Sequence, residues 1–139
     1  MRKPNLILLL LSLLLAVAPG LGQASTAGLV EAAGTWLKNA SAGTRAELLA
    51  ATDERFLATT PAGDVLVRER LIPSDPSQPV QKLPPMELDA PLARAVGDTG
   101  IVVSRVKGDA GHDLNATFVF VRQQSSWRLL AIHLSPAGR

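Results

Sequence analysis

The chain has 139 residues, of which 47% are hydrophobic and 19% charged, and it contains neither cysteine nor tyrosine. This length fits one domain, and the apolar content suffices for a packed core, which excludes a wholly disordered chain. Without cysteine there is no disulfide, no thiolate metal site and no cysteine nucleophile. The net charge is only +2, and no basic cluster with interleaved aromatic residues is present, so nucleic-acid binding is not expected.

The N-terminus has the three-part pattern of a secretory signal peptide. Two basic residues precede a mostly apolar run from Leu6 to Ala18, and the small residues Gly22 and Ala24 follow at the positions that a signal peptidase reads. We predict a signal peptide over residues 1–24, cleaved after Ala24, and a secreted or periplasmic domain over residues 25–139. A retained anchor is the alternative, but the apolar run is short beside the ~20 residues that a membrane span needs.

Cleavage after Ala24 would change the net charge of the mature protein, and the residues after the apolar run show whether a lipid anchor is possible. It removes Arg2 and Lys3, which leaves equal numbers of basic and acidic residues. No cysteine follows the apolar run, so a lipid-anchored mature N-terminus is excluded. We therefore expect no stable membrane span after cleavage.

Two helices are predicted at the start of the mature chain. Ser25 and Thr26 are residue types that cap helices. After them, apolar residues recur with helical spacing at Leu29, Ala33, Trp36, Leu37 and Ala40. Thr44 and Glu47 then have the spacing of a capping box, which predicts a second, short helix over residues 44–52.

The rest of the chain is predicted to form strands. Residues 54–60 are typical of a first strand, and residues 65–67 can pair back on it as a hairpin. Five prolines between Ile72 and Pro85 predict an irregular surface loop, whose role the sequence leaves open. Further strands are predicted at residues 86–96, where Pro91 weakens the pattern, and at 101–107, 114–123 and 127–135.

Helices followed by hairpin-connected strands predict an α+β domain, with the helices packed on one face of a strongly curved antiparallel sheet. Strict alternation in the last strand puts His133 on the helix-facing side together with Trp127, Leu129 and Ala131. The opposite side then carries an apolar strip that the helices cannot cover, formed by Leu130, Ile132, Leu134, Val119 and Val121. An uncovered strip of this kind predicts a homodimer through the outer face of the sheet.

Five features of the sequence form a recognisable set. They are Trp36 on the first helix and the segments Asp53-Glu54-Arg55-Phe56, Pro61-Ala62-Gly63, Gly97 to Val103 and Trp127 to Ser135. This set resembles the nuclear transport factor 2-like superfamily, and in particular its small polyketide-cyclase-like (SnoaL-like) and ketosteroid-isomerase-like domains of unknown function. The resemblance implies a cone-shaped fold with a pocket between the helices and a curved sheet.

Two departures from this family affect the expected chemistry. The family usually has a third short helix after the glycine turn, whereas residues 67–71 here can supply only about one turn. Steroid isomerases of this fold use a tyrosine as oxyanion donor and an aspartate as base. Because this chain has no tyrosine, the resemblance does not bring that mechanism with it.

His133 is the best candidate for a catalytic residue, because a neutral imidazole in an apolar cavity can act as a general base. The alternative is a histidine that is satisfied in the core or at a dimer interface. Asp53, beside Glu54, is a second candidate base, and the alternative there is an ordinary carboxylate at a helix end. His112 beside Asp113 is too sparse for a metal site, so neither a metal nor another cofactor is expected.

The predicted ligand-binding residues are four aromatic side chains and one arginine. They are Trp36, Phe56, Phe118, Trp127 and Arg105. The aromatic rings can form a pocket wall, although aromatics at such spacing are also common core residues. On the concave face, Arg105 beside Asn115 can hold a ligand carboxylate, and solvent exposure at a sheet edge is the alternative.

These observations leave three functions open. The first is binding of a small apolar or amphipathic molecule in the pocket between sheet and helices. The second is an isomerase, dehydratase or cyclase of the same fold that uses His133 with an acidic partner. The third is a non-catalytic dimerisation or protein-interaction module. An open cavity with a buried acid–base pair would favour an enzyme, and a cavity filled by side chains would favour the interaction module.

Overall fold

A computed structural model describes residues 26–108 and 111–138; the predicted signal peptide and its cleavage site lie outside these residues. The first helix, α1 (Thr26–Ala42), and the second, α2 (Arg45–Ala51), confirm the two predicted helices. The Thr44 hydroxyl accepts a hydrogen bond from the Glu47 N–H, and the Glu47 carboxylate accepts one from the Thr44 N–H at 2.7 Å. This is the capping box that the sequence predicts. No helix in the described ranges is both long and apolar enough to cross a bilayer.

Six strands and one further helical turn follow. They are β1 (Thr52–Thr59), β2 (Val65–Val67), the turn α3 (Arg68–Leu71), β3 (Met86–Val96), β4 (Thr99–Gly108), β5 (Leu114–Gln123) and β6 (Ser126–Pro136). Every predicted strand is confirmed, and α3 is the single turn expected after the glycine turn. The strand over residues 86–96 tolerates Pro91 because it lies at the edge of the sheet and its pairing shifts between Asp89 and Leu92.

The strands form one curved sheet in the order β2-β1-β6-β5-β4-β3. Four of the five neighbouring pairs are antiparallel, but β1 and β6 run parallel. The prediction of a wholly antiparallel sheet is therefore wrong at this pair. Turn chemistry predicts pairs that a hairpin connects, whereas β1 and β6 lie far apart in the sequence, and no turn between them shows their direction. The sheet is consequently mixed.

Helix α1 packs across one face of the sheet, against β3, β4 and β6. The two sides meet most closely where Leu29 on α1 lies over Gly100 on β4. A Cβ added at Gly100 would lie 2.2 Å from Leu29 Cδ2, and Leu29 is fully buried. Glycine at this position is therefore what allows the helix to approach the sheet so closely.

β6 contains one residue more than the segment of β5 with which it pairs. Phe120 pairs with Leu129 and Val119 with Ala131, which leaves Leu130 as the extra residue of a bulge. A bulge of this kind reverses the side-chain alternation beyond it. Trp127 and Leu129 therefore face the helices, as predicted, but the residues after Leu130 are on the opposite faces from those predicted.

The predicted faces of four residues in β6 are consequently wrong. Ile132 is buried in the core and Leu134 packs against it, so neither belongs to an outer apolar strip. His133 is exposed on the outer face instead of facing the helices. Its neighbour Ala131 is on the outer face too. The bulge could not be predicted from the sequence, because Leu130 is an apolar residue between apolar neighbours and nothing distinguishes it from a regular strand residue.

The proline-rich loop over residues 72–85 is held against the corner between the first two helices. The Arg45 guanidinium donates hydrogen bonds to the carbonyl oxygens of Pro73 and Gln78. The Leu83 N–H donates to the Ala40 carbonyl oxygen at 2.9 Å. Leu83 also packs against the hydrophobic core. The loop is thus part of the packed domain, which resolves a question that the sequence leaves open.

Candidate functional site

The space between the sheet and the helices is almost filled by side chains. The cavity that remains measures about 50 Å³. It is lined mainly by apolar residues, namely Trp36, Phe56, Ala58, Leu66, Leu71, Leu83, Ile132 and Leu134, with Thr59 and Thr60. Pockets for small organic molecules measure ~300–1,000 Å³. This enclosed cavity is therefore far smaller than a ligand site, and the larger spaces beside α1 are open grooves.

Three of the four aromatic residues predicted to bind a ligand lie in the hydrophobic core. Trp36, Phe56 and Phe118 are each at most 1% exposed. The Trp36 ring packs 5.7 Å from that of Phe56 between centroids, and its Nε1 donates a hydrogen bond to Thr52 Oγ1 at 2.9 Å. Phe118 stacks on Phe120 at 6.3 Å. These three rings are therefore core residues, which is the alternative to a pocket wall that the sequence also allowed.

Trp127, the fourth aromatic residue, lies in an open groove between α1 and the turn that joins β5 to β6. We call this space, of about 650 Å³, the α1–β6 groove. It is lined by Gly28, Glu31, Ala32, Thr35, Ala51, Arg122, Ser125, Ser126 and Trp127. The Arg122 guanidinium lies 4.4 Å from the centre of the Trp127 ring, in a cation–π contact. A carboxylate, a guanidinium and several hydroxyls thus surround one half-buried aromatic ring.

Among the residues of this groove, only Trp127 is predicted from the sequence to bind a ligand. Glu31 and Thr35 are four residues apart on α1, a spacing that places them on one face of the helix. Arg122 and Trp127 pair across the β5–β6 hairpin, and the pairing depends on a two-residue turn at Gln124 and Ser125. That turn contains no glycine, so its sequence gives little sign of the tight hairpin that brings the two side chains together.

Asp53 is buried, with 0% exposure, and all of its hydrogen-bonding partners hold it as a carboxylate. Its oxygens accept hydrogen bonds from the Arg55 Nε and backbone N–H, both at 2.9 Å, and from Gln123 Nε2 at 2.8 Å. The hydrogen bond from the Arg55 side chain lowers the pKa of the Asp53 carboxyl below its ordinary value. A general base must reach a substrate proton and bind it. The geometry of Asp53 is that of a structural ion pair. It fits neither of the two hypotheses from the sequence, a catalytic base or an ordinary carboxylate at a helix end.

His133 and Arg105 both lie on the outer face of the sheet. His133 is flanked across the strands by Thr117 on β5 and Thr59 on β1, so neither cross-strand neighbour is acidic. Arg105 alternates with residues that are buried beneath α1, and its side chain is exposed. Arg105 and Asn115 are both predicted from the sequence to line the concave face. That prediction is wrong, because both side chains are exposed on the opposite face. Within the described ranges, no three His, Asp or Glu residues come close enough to hold a metal ion.

The outer face of the sheet leaves several large apolar side chains uncovered. Its most exposed large apolar residues are 40–79% exposed and are Leu57, Val65, Val67, Leu92, Val96, Ile101 and Val103. The strand registers arrange most of them in two cross-strand rows. One row is Val67, Leu57, Ala131, Val119, Ile101 and Arg94, and the next is Val65, Thr59, His133, Thr117, Val103 and Leu92.

This surface agrees only in part with the outer strip predicted from the sequence. Val119 and Val121 are on it, as predicted, but Ile132 and Leu134 are not. Most of its apolar area comes from β1, β2, β3 and β4, which the sequence analysis did not assign to it. The missed signal is the alternation in β4, where Ile101 and Val103 are exposed and the residues between them are buried.

Several solved structures share this fold at low sequence identity. A nuclear transport factor 2-like protein from Cytophaga hutchinsonii has a TM-score of 0.65 and 16% identity, over 78% of this chain and 95% of its own. A CaMKII hub from S. rosetta has a TM-score of 0.60 and 21% identity, over 79% and 95%. A ketosteroid-isomerase-like protein from Parabacteroides distasonis has a TM-score of 0.60 and 14% identity, over 78% and 85%.

These likenesses confirm the predicted α+β fold, in which helices pack on a curved sheet as in nuclear transport factor 2-like proteins. Neither a protein-family model nor a curated protein matches the sequence. At identities of 14–21% the likeness is one of fold, and function has to be argued from the chain's own residues.

Proposed function

We propose that this chain is a non-catalytic association module, and that the outer face of its sheet binds a second copy of the chain. The observation that carries the proposal is the contrast between the two faces. The inner face is covered by α1, and apart from open grooves beside that helix it retains a cavity of only about 50 Å³. The outer face leaves seven large apolar side chains 40–79% exposed. Monomeric proteins seldom expose contiguous apolar patches beyond a few hundred Å².

The size of this face suits a stable dimer. Six strands spaced ~4.8 Å apart give the sheet a width of roughly 25 Å. A standard interface buries ~800 Å² on each partner, with apolar residues at its centre and polar residues at its rim. The outer face follows that pattern, since Arg94 ends one of the two rows and Arg105 and Arg128 lie outside them. The fold likeness to a CaMKII hub supports the same proposal.

The edges of the sheet are poorly suited to association, which favours the face. At one edge, β2 is only three residues long. At the other, β3 is interrupted where Ala90 has a positive φ of 52° and Pro91 lacks an N–H donor. Short and broken edge strands hinder the addition of a further strand. Pairing of two outer faces avoids both edges.

A charge placed on the outer face is expected to abolish this association. In Ile101→Lys, an ammonium group beside Arg94 would have to be buried without an acidic partner, so the apparent mass in light scattering should fall from about two chains to one. Ala46→Lys adds the same group at an exposed position on α2 and should leave the mass unchanged. A wild-type chain that is monomeric at 100 μM would contradict the proposal.

A second candidate function is binding of a small amphipathic molecule in the α1–β6 groove. It is favoured by the groove's volume of about 650 Å³ and by the polar groups around the Trp127 ring. Thermal-shift screening of wild type against Thr35→Trp, which fills the groove, is the test: a ligand of this site stabilises only the wild type. An enzyme that uses His133 has less support, because the imidazole is exposed and lies between two threonines.

We also propose that the chain is exported and cleaved after Ala24. The support is the signal pattern of residues 1–24. Intact-mass measurement of the exported protein should therefore give a chain that begins at Ser25. Replacement of Ala24 by a bulky residue such as Phe should block cleavage there, and export without cleavage in the wild type would support a retained anchor instead.

A further inference from the structure

We infer that the two-fold axis of this dimer runs parallel to the strands between β5 and β6, which brings His133 of both copies together, and that protonation of His133 dissociates the dimer. This inference rests on the proposed function, because it assumes that two outer faces meet. It adds where the axis lies and which group controls association.

The order of side chains across the outer face favours this axis. The row through His133 has large apolar residues towards both ends and polar residues at its centre on β6 and β5. In the other row Leu57 and Ile101 lie on either side of the central Ala131 and Val119. A two-fold axis along the strands through the middle of the sheet places each end of a row over the opposite end in the second copy. Leu57 then faces Ile101 of the second copy, and Val65 faces Leu92, all of which are exposed in the single chain. At the end of the other row, Val67 faces Arg94. Apolar surface therefore meets apolar surface over most of both sides of the axis.

The same axis places the central residues next to their own counterparts. His133 and Thr117 pair directly across β6 and β5, so they lie on either side of the axis. Neighbouring strands are ~4.8 Å apart, which sets the lateral offset between the two His133 positions at about one strand spacing. By contrast, Val65 on the edge strand β2 lies five strand spacings from its counterpart, or about 24 Å.

No carboxylate near His133 can neutralise a protonated imidazole. Across the strands it is flanked by Thr117 and Thr59, and on β6 itself by Ala131 and Ser135. Diagonally it is flanked by Asn115 and Val119 on β5 and by Leu57 on β1. The remaining charged groups of the outer face are Arg94, Arg105, Arg128, the ion pair between Lys107 and Asp89, and Glu87 at the far edge. On β1, Arg55 is paired with Asp53, and the exposed Glu54 adjoins it.

The balance of charge around the axis is thus positive, and the second copy would bring the same set of groups. An imidazole gains a proton and a positive charge as the pH falls from 8 to 5. In the dimer two such charges would be buried side by side with no acidic partner, whereas in the monomer each is solvated. Association must therefore release these protons, and the dissociation constant must rise as the pH falls.

The position of the axis can be tested by cross-linking, because the chain has no cysteine of its own. His133→Cys and Thr117→Cys place one thiol per chain beside the axis, and a short bismaleimide should join them into a covalent dimer. Val65→Cys, with its thiol at the edge, should remain unlinked. Efficient linking of Val65→Cys, or none at His133→Cys and Thr117→Cys in a chain that is dimeric by light scattering, would overturn the proposed axis.

The pH dependence is tested by sedimentation equilibrium of the cleaved chain at pH 7.5 and 5.5. We expect the dissociation constant to increase about tenfold or more at the lower pH. His133→Asn should keep the dimer and remove this increase. The chain has only one other histidine, His112, which is exposed between β4 and β5. His112→Asn should therefore keep the increase of the dissociation constant at pH 5.5.

The outcomes separate this inference from the proposed function. A dimer with the same dissociation constant at both pH values, or an increase that persists in His133→Asn, overturns the inference and leaves the dimer standing. A chain that is monomeric at both pH values overturns both. Far-ultraviolet circular dichroism at pH 5.5 should show the native spectrum, so that any loss of association is separated from unfolding.

Discussion

Gly100→Ala is expected to lower the free energy of unfolding by about 2–3 kcal/mol. The added methyl group would lie 2.2 Å from Leu29 Cδ2, which is well inside van der Waals contact. Leu29 is fully buried, so it can move only by disturbing its neighbours in the core. Urea denaturation of wild type and variant, followed by circular dichroism, measures the difference.

A matched control makes the same substitution, glycine to alanine, at an uncrowded position on α1. A Cβ added at Gly34 on α1 would lie 3.9 Å from Leu88 Cδ1, an ordinary contact. Because glycine is unfavourable within a helix, Gly34→Ala should stabilise the protein by roughly 0.5–1 kcal/mol. The two alanine substitutions should thus have opposite signs, and equal effects would show that crowding at Gly100 is not the cause.

A double variant tests the contact itself. Leu29→Ala alone should cost about 2–5 kcal/mol, because it leaves a cavity in the core. In the presence of Leu29→Ala, the methyl group of Gly100→Ala no longer clashes and partly fills that cavity. The combined loss should therefore be smaller than the sum of the two single losses. Additive losses would contradict the close approach of α1 to β4.

Asp53→Ala is expected to lower the free energy of unfolding by about 2–4 kcal/mol at pH 7. Asp53 joins the start of β1 to the end of β5, since its carboxylate accepts hydrogen bonds from both Arg55 and Gln123. Arg55 is 65% exposed and can return to water, so much of the loss comes from the buried carboxylate's own contacts. Asp64→Asn, at an exposed position between β1 and β2, should change stability by less than about 0.5 kcal/mol.

The stabilisation by Asp53 has a defined pH dependence. The folded state lowers the pKa of this carboxyl, whereas in the unfolded chain an aspartate titrates near ~3.9. The contribution is therefore complete above about pH 4 and is lost as the pH falls through the folded-state pKa. The difference between wild type and Asp53→Asn should be constant from pH 7 to 5 and should shrink below pH 4. A difference that grows in acid would contradict this role.

The helices and strands could be predicted from the sequence because their signals are local. The capping box at Thr44, the apolar stripe through Trp36 and the alternation in β5 depend only on residues close together in the chain. The parallel pairing of β1 with β6 depends on segments about 75 residues apart, and no local pattern specifies it. The resemblance to nuclear transport factor 2-like proteins supplied the fold, but not this direction.

The candidate site was harder to predict, because small shifts of register decide which face a residue occupies. One bulge at Leu130 moved His133 from the predicted pocket to the outer face. The pocket itself was an expectation from the resemblance, and whether it is open depends on how side chains such as Leu83 pack in three dimensions. Hydrophobic periodicity predicts which residues are buried, and it does not predict how their side chains fill the space between helix and sheet.

The last of the six strands in the sequence lies in the middle of the sheet. β6 separates β1 from β5, so until residues 126–136 have been made the first strand has no partner except the short β2. Trp36 and Phe56, which pack beside Ile132, would also stay incompletely covered. Folding of this domain must therefore wait until β6 has been made, because its central contacts join segments that are far apart in the sequence. We expect the helices and strands before β6 to remain without stable tertiary structure until that strand has emerged from the ribosome.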